Sequence, residues 1–227
     1  MKKLTQQEVN EIIAKYQKWL RGEDGGERAD FSNTDLSNLD LSNTNLSYTD
    51  FSNANLSYTD LTNTDLSYTD FHLANLSYSD LSNANLSNAN LSNADIFDSD
   101  LSEVNLSNAD LSRLRLFRTV FYGADISNSI FYRSNIAYTE FIYSDLSKVN
   151  FSESELKGVD FSYADLYKAN FSKTKLDEVN FADAKLDNTN FSESELKGID
   201  FSHTKIDLNS EYFKDIKYDE TTIFPNT

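Results

Sequence analysis

The chain has 227 residues, no cysteine, and 37 acids against 20 bases, for a formal charge of −17. That balance argues against direct nucleic-acid binding, which is driven by clustered Lys and Arg, and the lack of Cys excludes disulfides and thiolate metal sites. No run approaches the roughly twenty apolar residues of a membrane helix, and no export signal is readable behind Met1, so a single-domain cytoplasmic protein is expected.

In chain order, Val9, Ile12, Ile13, Tyr16, Trp19 and Leu20 recur at helical spacing and predict a short amphipathic helix, with Thr5 and Glu8 as its capping box. A stripe of this kind could serve a partner, but the repeat that follows needs its first turn covered, which favours a lid. Gly22, Gly25 and Gly26 then allow a turn into the body. Residues 1–28 are accordingly read as an N-terminal helix and linker capping the rest.

From Phe31 to Ile206 every fifth residue is Leu, Ile or Phe, without an insertion. Positions five apart on an α-helix fall roughly 140° from one another, so no helical stripe forms. A plain strand alternates with period two and throws successive centres onto opposite faces. A short extended stretch followed by a corner satisfies the period, with the centre and the residue two before it both pointing inward. Phe31, Phe51 and Phe71 recur at twenty, and from Phe121 to Phe201 every tenth residue is Phe. Twenty residues per coil places those rings on two opposite sides of a four-sided coil. Asn33, Asn43, Asn53, Asn63, Asn83 and Asn93 suit the corners, where a left-handed backbone is tolerated. The expectation is an all-β solenoid of about nine coils, roughly 43 Å long at a spacing of about 4.8 Å.

Units such as ANLSY, ADLSR and TDLSY resemble the pentapeptide-repeat family over residues 29–208. The resemblance implies a right-handed quadrilateral β-helix and a binding or structural body rather than an enzyme. It also implies one functional alternative, because some relatives mimic DNA and protect DNA gyrase from quinolones. Arg115, Val120, Ile130, Lys175 and Lys185 depart from the usual Asp or Asn before the centre, which predicts altered turns or a specialised surface there. After Ile206 the register stops. Phe213, Ile216, Tyr218, Ile223 and Phe224 then supply a closing segment, residues 209–227, whose ending YDETTIFP also resembles family C-termini. A homodimer through the C-terminal end would cover the last coil instead.

Catalysis needs convergent groups, and the two histidines, His72 and His203, fall on outward positions more than six coils apart. No catalytic residue, cofactor or metal site is expected. Tyr48 with Tyr68, and Tyr58 with Tyr78, are predicted to stack on neighbouring coils at outward corners. Residues 30–110 hold thirteen acids and no Lys or Arg, and Asp40, Asp60, Asp80 and Asp100 line up on one side as the candidate interaction wall. At about one charge per ~1.5 Å of axis, this stretch compares with ~1.7 Å for duplex DNA. Part of the acid is expected to be architectural, since Asp and Asn bond nearby backbone. Two readings follow: a rigid acidic scaffold for an unknown protein partner, or a DNA mimic acting on a DNA-binding protein such as gyrase.

Overall fold

The computed structural model describes residues 1–201 and 203–224. Every interior centre from Phe31 to Phe201 is buried, and most residues two before a centre are buried beside them. The residue between them points outward, and from Phe31 to Leu196 the residue two after each centre takes a left-handed backbone, as at Asn33 (φ 56°), Tyr48 (φ 61°), Leu73 (φ 60°) and Arg113 (φ 56°). Asn tolerates that conformation best. Other residue types are held in it by the next coil, as when the Tyr48 N–H donates to the Ser67 carbonyl at 2.9 Å.

Parallel pairing at a register of twenty runs along the body, for example Asp40 with Asp60 and Asn45 with Asp65, so each turn holds four five-residue units. The backbone bonds are regular: Phe31 N–H donates to Asp50 O at 2.8 Å, and Asp60 N–H to Leu39 O at 3.0 Å. Phe131, Phe151, Phe171 and Phe191 stack in one interior column at 4.8–5.2 Å, and Phe121, Phe141, Phe161, Phe181 and Phe201 in another at 4.8–5.7 Å. The columns meet edge to face in the core, Phe131 against Phe141 at 6.1 Å, a favoured arrangement for aromatic rings.

Chain order begins with β1 (Lys2–Lys3) and α1 (Gln6–Leu20), followed by β2 (Thr34–Asp35), which pairs with β1 in parallel. Along one face the chain extends into three-residue strands: β3 (Asp95–Phe97), β4 (Arg115–Phe117), β5 (Asn135–Ala137), β6 (Glu155–Lys157), β7 (Lys175–Asp177) and β8 (Glu195–Lys197). With β9 (Lys217–Tyr218) they form a parallel seven-stranded sheet. The body is thus an all-β solenoid with one short N-terminal helix. Arg115 and Lys175 lie on this strand face, whereas Val120, Ile130 and Lys185 precede ordinary turns, so the departures from Asp or Asn do not share one effect.

Both bonds of the Thr5–Glu8 capping box are present in α1, and Val9 and Tyr16 are buried. Trp19 departs from the predicted apolar stripe: it is 43% exposed and stacks on Tyr16 at 5.6 Å. The helix side chains satisfy the open edge of the first turn. Gln6 does for Asp40 what a preceding coil would do, donating to its carbonyl at 2.7 Å and accepting its N–H at 2.9 Å. Gln17 bonds Asn45 O, Tyr16 donates to Ser47 O, and Leu4 N–H donates to Asp35 O. At the other end Phe191 N–H reaches Tyr212 O, Phe201 N–H reaches Ile223 O, and Phe213 is buried under the last coil. Pro225 of the YDETTIFP ending lies outside the described residues.

Candidate interaction surface

Where the outward residue before a centre is Asp or Asn and an ordinary turn follows, it has a local task. Its side-chain oxygen accepts the N–H two residues on: Ser42 to Asp40, Thr62 to Asp60, Ser82 to Asp80 and Ser102 to Asp100, each at 2.9 Å. Asn45 and Asn75 do the same for Ser47 and Ser77. The Ser42 hydroxyl, reinforced by the Ser42 N–H, holds the Asp40 carboxyl below the usual carboxylate range, and Ser37 does the same for Asp35. One carboxylate oxygen therefore serves the turn while the rest of the group faces out.

Stacking sorts these acids unevenly. Asp40, Asp60, Asp80 and Asp100 form one unbroken column, and Asp30, Asp50, Asp70 and Asp110, with Asn90 among them, form a second. Eight of the thirteen acids in residues 30–110 thus fall in two columns. Asp40, Asp60, Asp80 and Asp100 are all exposed, whereas Asp50, Asp70 and Asp110 are half-buried. In the other columns Asn amides knit neighbouring coils, Asn55 to Asp35 at 3.0 Å, Asn85 to Asp65 at 3.1 Å and Asn90 to Asp70 at 3.0 Å. The Asp40 to Asp100 column contains no such amide.

The later coils compensate their own charge. Arg115 pairs with Asp95, Arg118 with Asp98, Arg133 with Glu153, Lys175 with Glu155, Lys185 with Asp165 and Lys197 with Asp177, all one coil apart. Among the described residues no Lys or Arg forms an ion pair with Asp40, Asp60, Asp80 or Asp100. Beside the acidic columns, Tyr48 stacks on Tyr68 at 5.0 Å and Tyr58 on Tyr78 at 4.7 Å, all four about half exposed.

His72 is half-buried, with Nδ1 2.9 Å from the Ser92 hydroxyl, and His203 is exposed, so the structure does not bring the two together. Among the described residues no cluster of His, Asp and Glu is placed to hold a metal ion, and no helix is long and apolar enough to cross a membrane. Sequence reasoning missed an outward patch on the strand face, where Phe97 and Phe117 lie beside Arg115 and Arg118. A period of twenty in the outward residues was the signal that marks it.

A solenoid that fills its interior with one apolar centre per five residues and repeats its surface every twenty is a repeat protein of the β-solenoid class. The chain belongs to the pentapeptide-repeat family: the family model for pentapeptide repeats matches residues 27–63, 54–93 and 164–202, and that for a pentapeptide repeat region matches residues 113–181. Among solved structures it is similar to HetL, a pentapeptide repeat protein involved in heterocyst differentiation regulation from the cyanobacterium Nostoc sp. strain PCC 7120. There the identity is 24%, the match covers 92% of this chain and 90% of HetL, and the TM-score is 0.67. It is also similar to QnrB1, a plasmid-mediated fluoroquinolone resistance protein, in a trypsin-treated form, at 20% identity, 86% and 93% coverage and a TM-score of 0.57. At these identities the likeness is one of fold. Comparison with curated proteins gives no match.

Proposed function

We propose that the chain is a non-enzymatic, cytoplasmic interaction scaffold that presents the Asp40, Asp60, Asp80 and Asp100 column to a protein partner with a basic surface. The observation that carries this reading is the segregation of charge: among the described residues these four carboxylates are exposed, stacked and without an ion-pair partner, while most bases of the later coils pair with acids one coil away. In this reading residues 29–208 wind as a right-handed, four-sided helix of nine coils, closed by residues 1–28 and 209–227. The regular register of twenty supports the four sides, and the family supports the hand.

A second reading, a DNA mimic directed at gyrase or another DNA-binding protein, is favoured by one feature. Most of the early acids lie in two columns, as phosphates lie on two strands. Competition separates the readings. A mimic displaces duplex DNA from gyrase at low salt and loses that ability as salt rises. Failure at low salt removes gyrase and leaves the scaffold, whose own test is capture of a basic-surfaced protein on the immobilised chain. A homodimer through the C-terminal end is compatible with either reading, because that end lies beyond the acidic columns.

A further inference from the structure

The strand face carries a patch that the acidic columns do not use. Phe97 and Phe117 point outward on neighbouring coils, with Phe117 37% exposed. The Arg115 guanidinium lies over the Phe97 ring at 5.3 Å, that of Arg118 over Phe117 at 5.0 Å, and Tyr138 meets Phe117 edge-on at 5.7 Å. A shallow groove of about 400 Å³ runs beside these rings. At the equivalent positions stand Ser37, Ser57 and Ser77 on earlier coils, Ser37 and Ser77 being covered by their neighbours, and Lys157, Asp177 and Lys197 on later ones. Aromatic and arginine side chains dominate the energetics of interfaces, so an exposed group of them on an otherwise polar wall marks a docking surface.

The charges in the patch are ordered. One coil supplies Asp95 and Asp98, the next supplies Arg115 and Arg118, and the two rings lie between, with salt bridges of 3.2 and 2.7 Å joining each acid to its base. A twofold axis along the strand direction, midway between β3 and β4, lays a second copy on this face with its solenoid axis reversed. Each column then faces itself in reverse order. Asp95 meets Arg115 of the second copy, Asp98 meets its Arg118, and Phe97 meets its Phe117. One coil further out Tyr78 meets Tyr138, then Asn55 meets Glu155 and Ser57 meets Lys157, and beyond them Asp35 meets Lys175. No outward position in this span is set against a like charge. A twofold interface requires one patch to complement itself, and this one does.

We propose that this face binds a second copy of the chain, side by side and antiparallel. The contact strip covers about 34 Å of axis by about 10 Å of strand, which places it at the small, transient end of protein interfaces. The acidic columns occupy the neighbouring units of each turn and stay free, so this inference stands apart from the partner reading above.

The test is sedimentation equilibrium of the full chain at physiological salt over a concentration series, with two charge variants. Asp95→Lys/Asp98→Lys makes the patch wholly basic, and Arg115→Glu/Arg118→Glu makes it wholly acidic. The wild type is expected to show a mass that rises with concentration, and each variant alone to associate roughly tenfold or more weakly, because like charges then face each other. An equimolar mixture of the two variants is expected to recover association. Exposed ion pairs contribute little to stability, so both variants keep the fold, which circular dichroism verifies. A wild type that stays monomeric throughout overturns the proposal, as does association indifferent to all four substitutions, which would assign it to another surface such as the C-terminal end. Failure of the mixture to recover overturns the antiparallel register.

Discussion

In each five-residue unit the apolar centre and the residue before it divide the labour. Phe151 is fully buried, stacked between Phe131 and Phe171 at 4.8 and 4.9 Å, so Phe151→Ala is expected to cost about 3–5 kcal/mol in an unfolding titration. Ser152→Ala, one residue on and outward, is expected to stay within about 0.5 kcal/mol. Similar losses in the two variants would mean that the centre is not the buried member of the unit. Asp35 and Asp40 sit before their centres and titrate below their ordinary range because serine donors stabilise the charged form. A depressed folded pKa gives stability that is present above the unfolded value and lost as pH falls through the folded one. Relief of the overall negative charge acts in the opposite direction, so the useful quantity is a difference. Asp40→Asn is expected to lose less stability than the wild type as pH drops below about 4, read from paired thermal melts. The inward and outward assignment was legible in the sequence because one hydrophobic residue in five, unbroken over the whole body, admits only one register.

The ends of the solenoid are elements with a different physical problem, since a coil without a neighbour leaves a row of backbone groups unpaired. At the first turn α1 solves it with side chains: the Gln6 amide imitates a peptide group toward Asp40, and Gln17 and Tyr16 cap the carbonyls of Asn45 and Ser47. Deleting residues 1–20 is expected to expose those groups together with the first interior leucines, and sedimentation should then show association with a lowered melting temperature. A truncated chain that stays monomeric and equally stable would separate α1 from this role. The helix itself was readable from its stripe and capping box. The strand β1 and the burial of Leu4 were not, because two residues carry no period. The strand face was also hidden. Phe97 and Phe117 replace the usual Ser after the centre, but so do Tyr122 and Tyr132, whose units keep ordinary turns. Only recurrence at twenty along one column distinguishes the two.

At the scale of the whole molecule, charge is what varies while the backbone repeats. The sequence alone showed thirteen acids and no Lys or Arg over residues 30–110, and the Asp40 to Asp100 column among them, but not that this column is exposed throughout while in the second only Asp30, at the first coil, is exposed and Asp50, Asp70 and Asp110 are half-buried. That sorting depends on which units share a face, and it separates the architectural share of each carboxylate from the share left for a partner. Replacing Asp40, Asp60, Asp80 and Asp100 together by Asn tests the separation. Asn retains the oxygen that accepts the N–H two residues on, as Asn45 and Asn75 already do in their own turns. Carboxylates stacked about 4.8 Å apart repel one another, so the quadruple variant is expected to melt at or slightly above the wild-type temperature. Binding is expected to move the other way. The variant should lose affinity for a basic-surfaced partner, with the wild-type interaction weakening steeply as salt rises. A variant that melts lower would mean that the four charges serve the coil. One that keeps both its fold and its full affinity would place the partner on a different face.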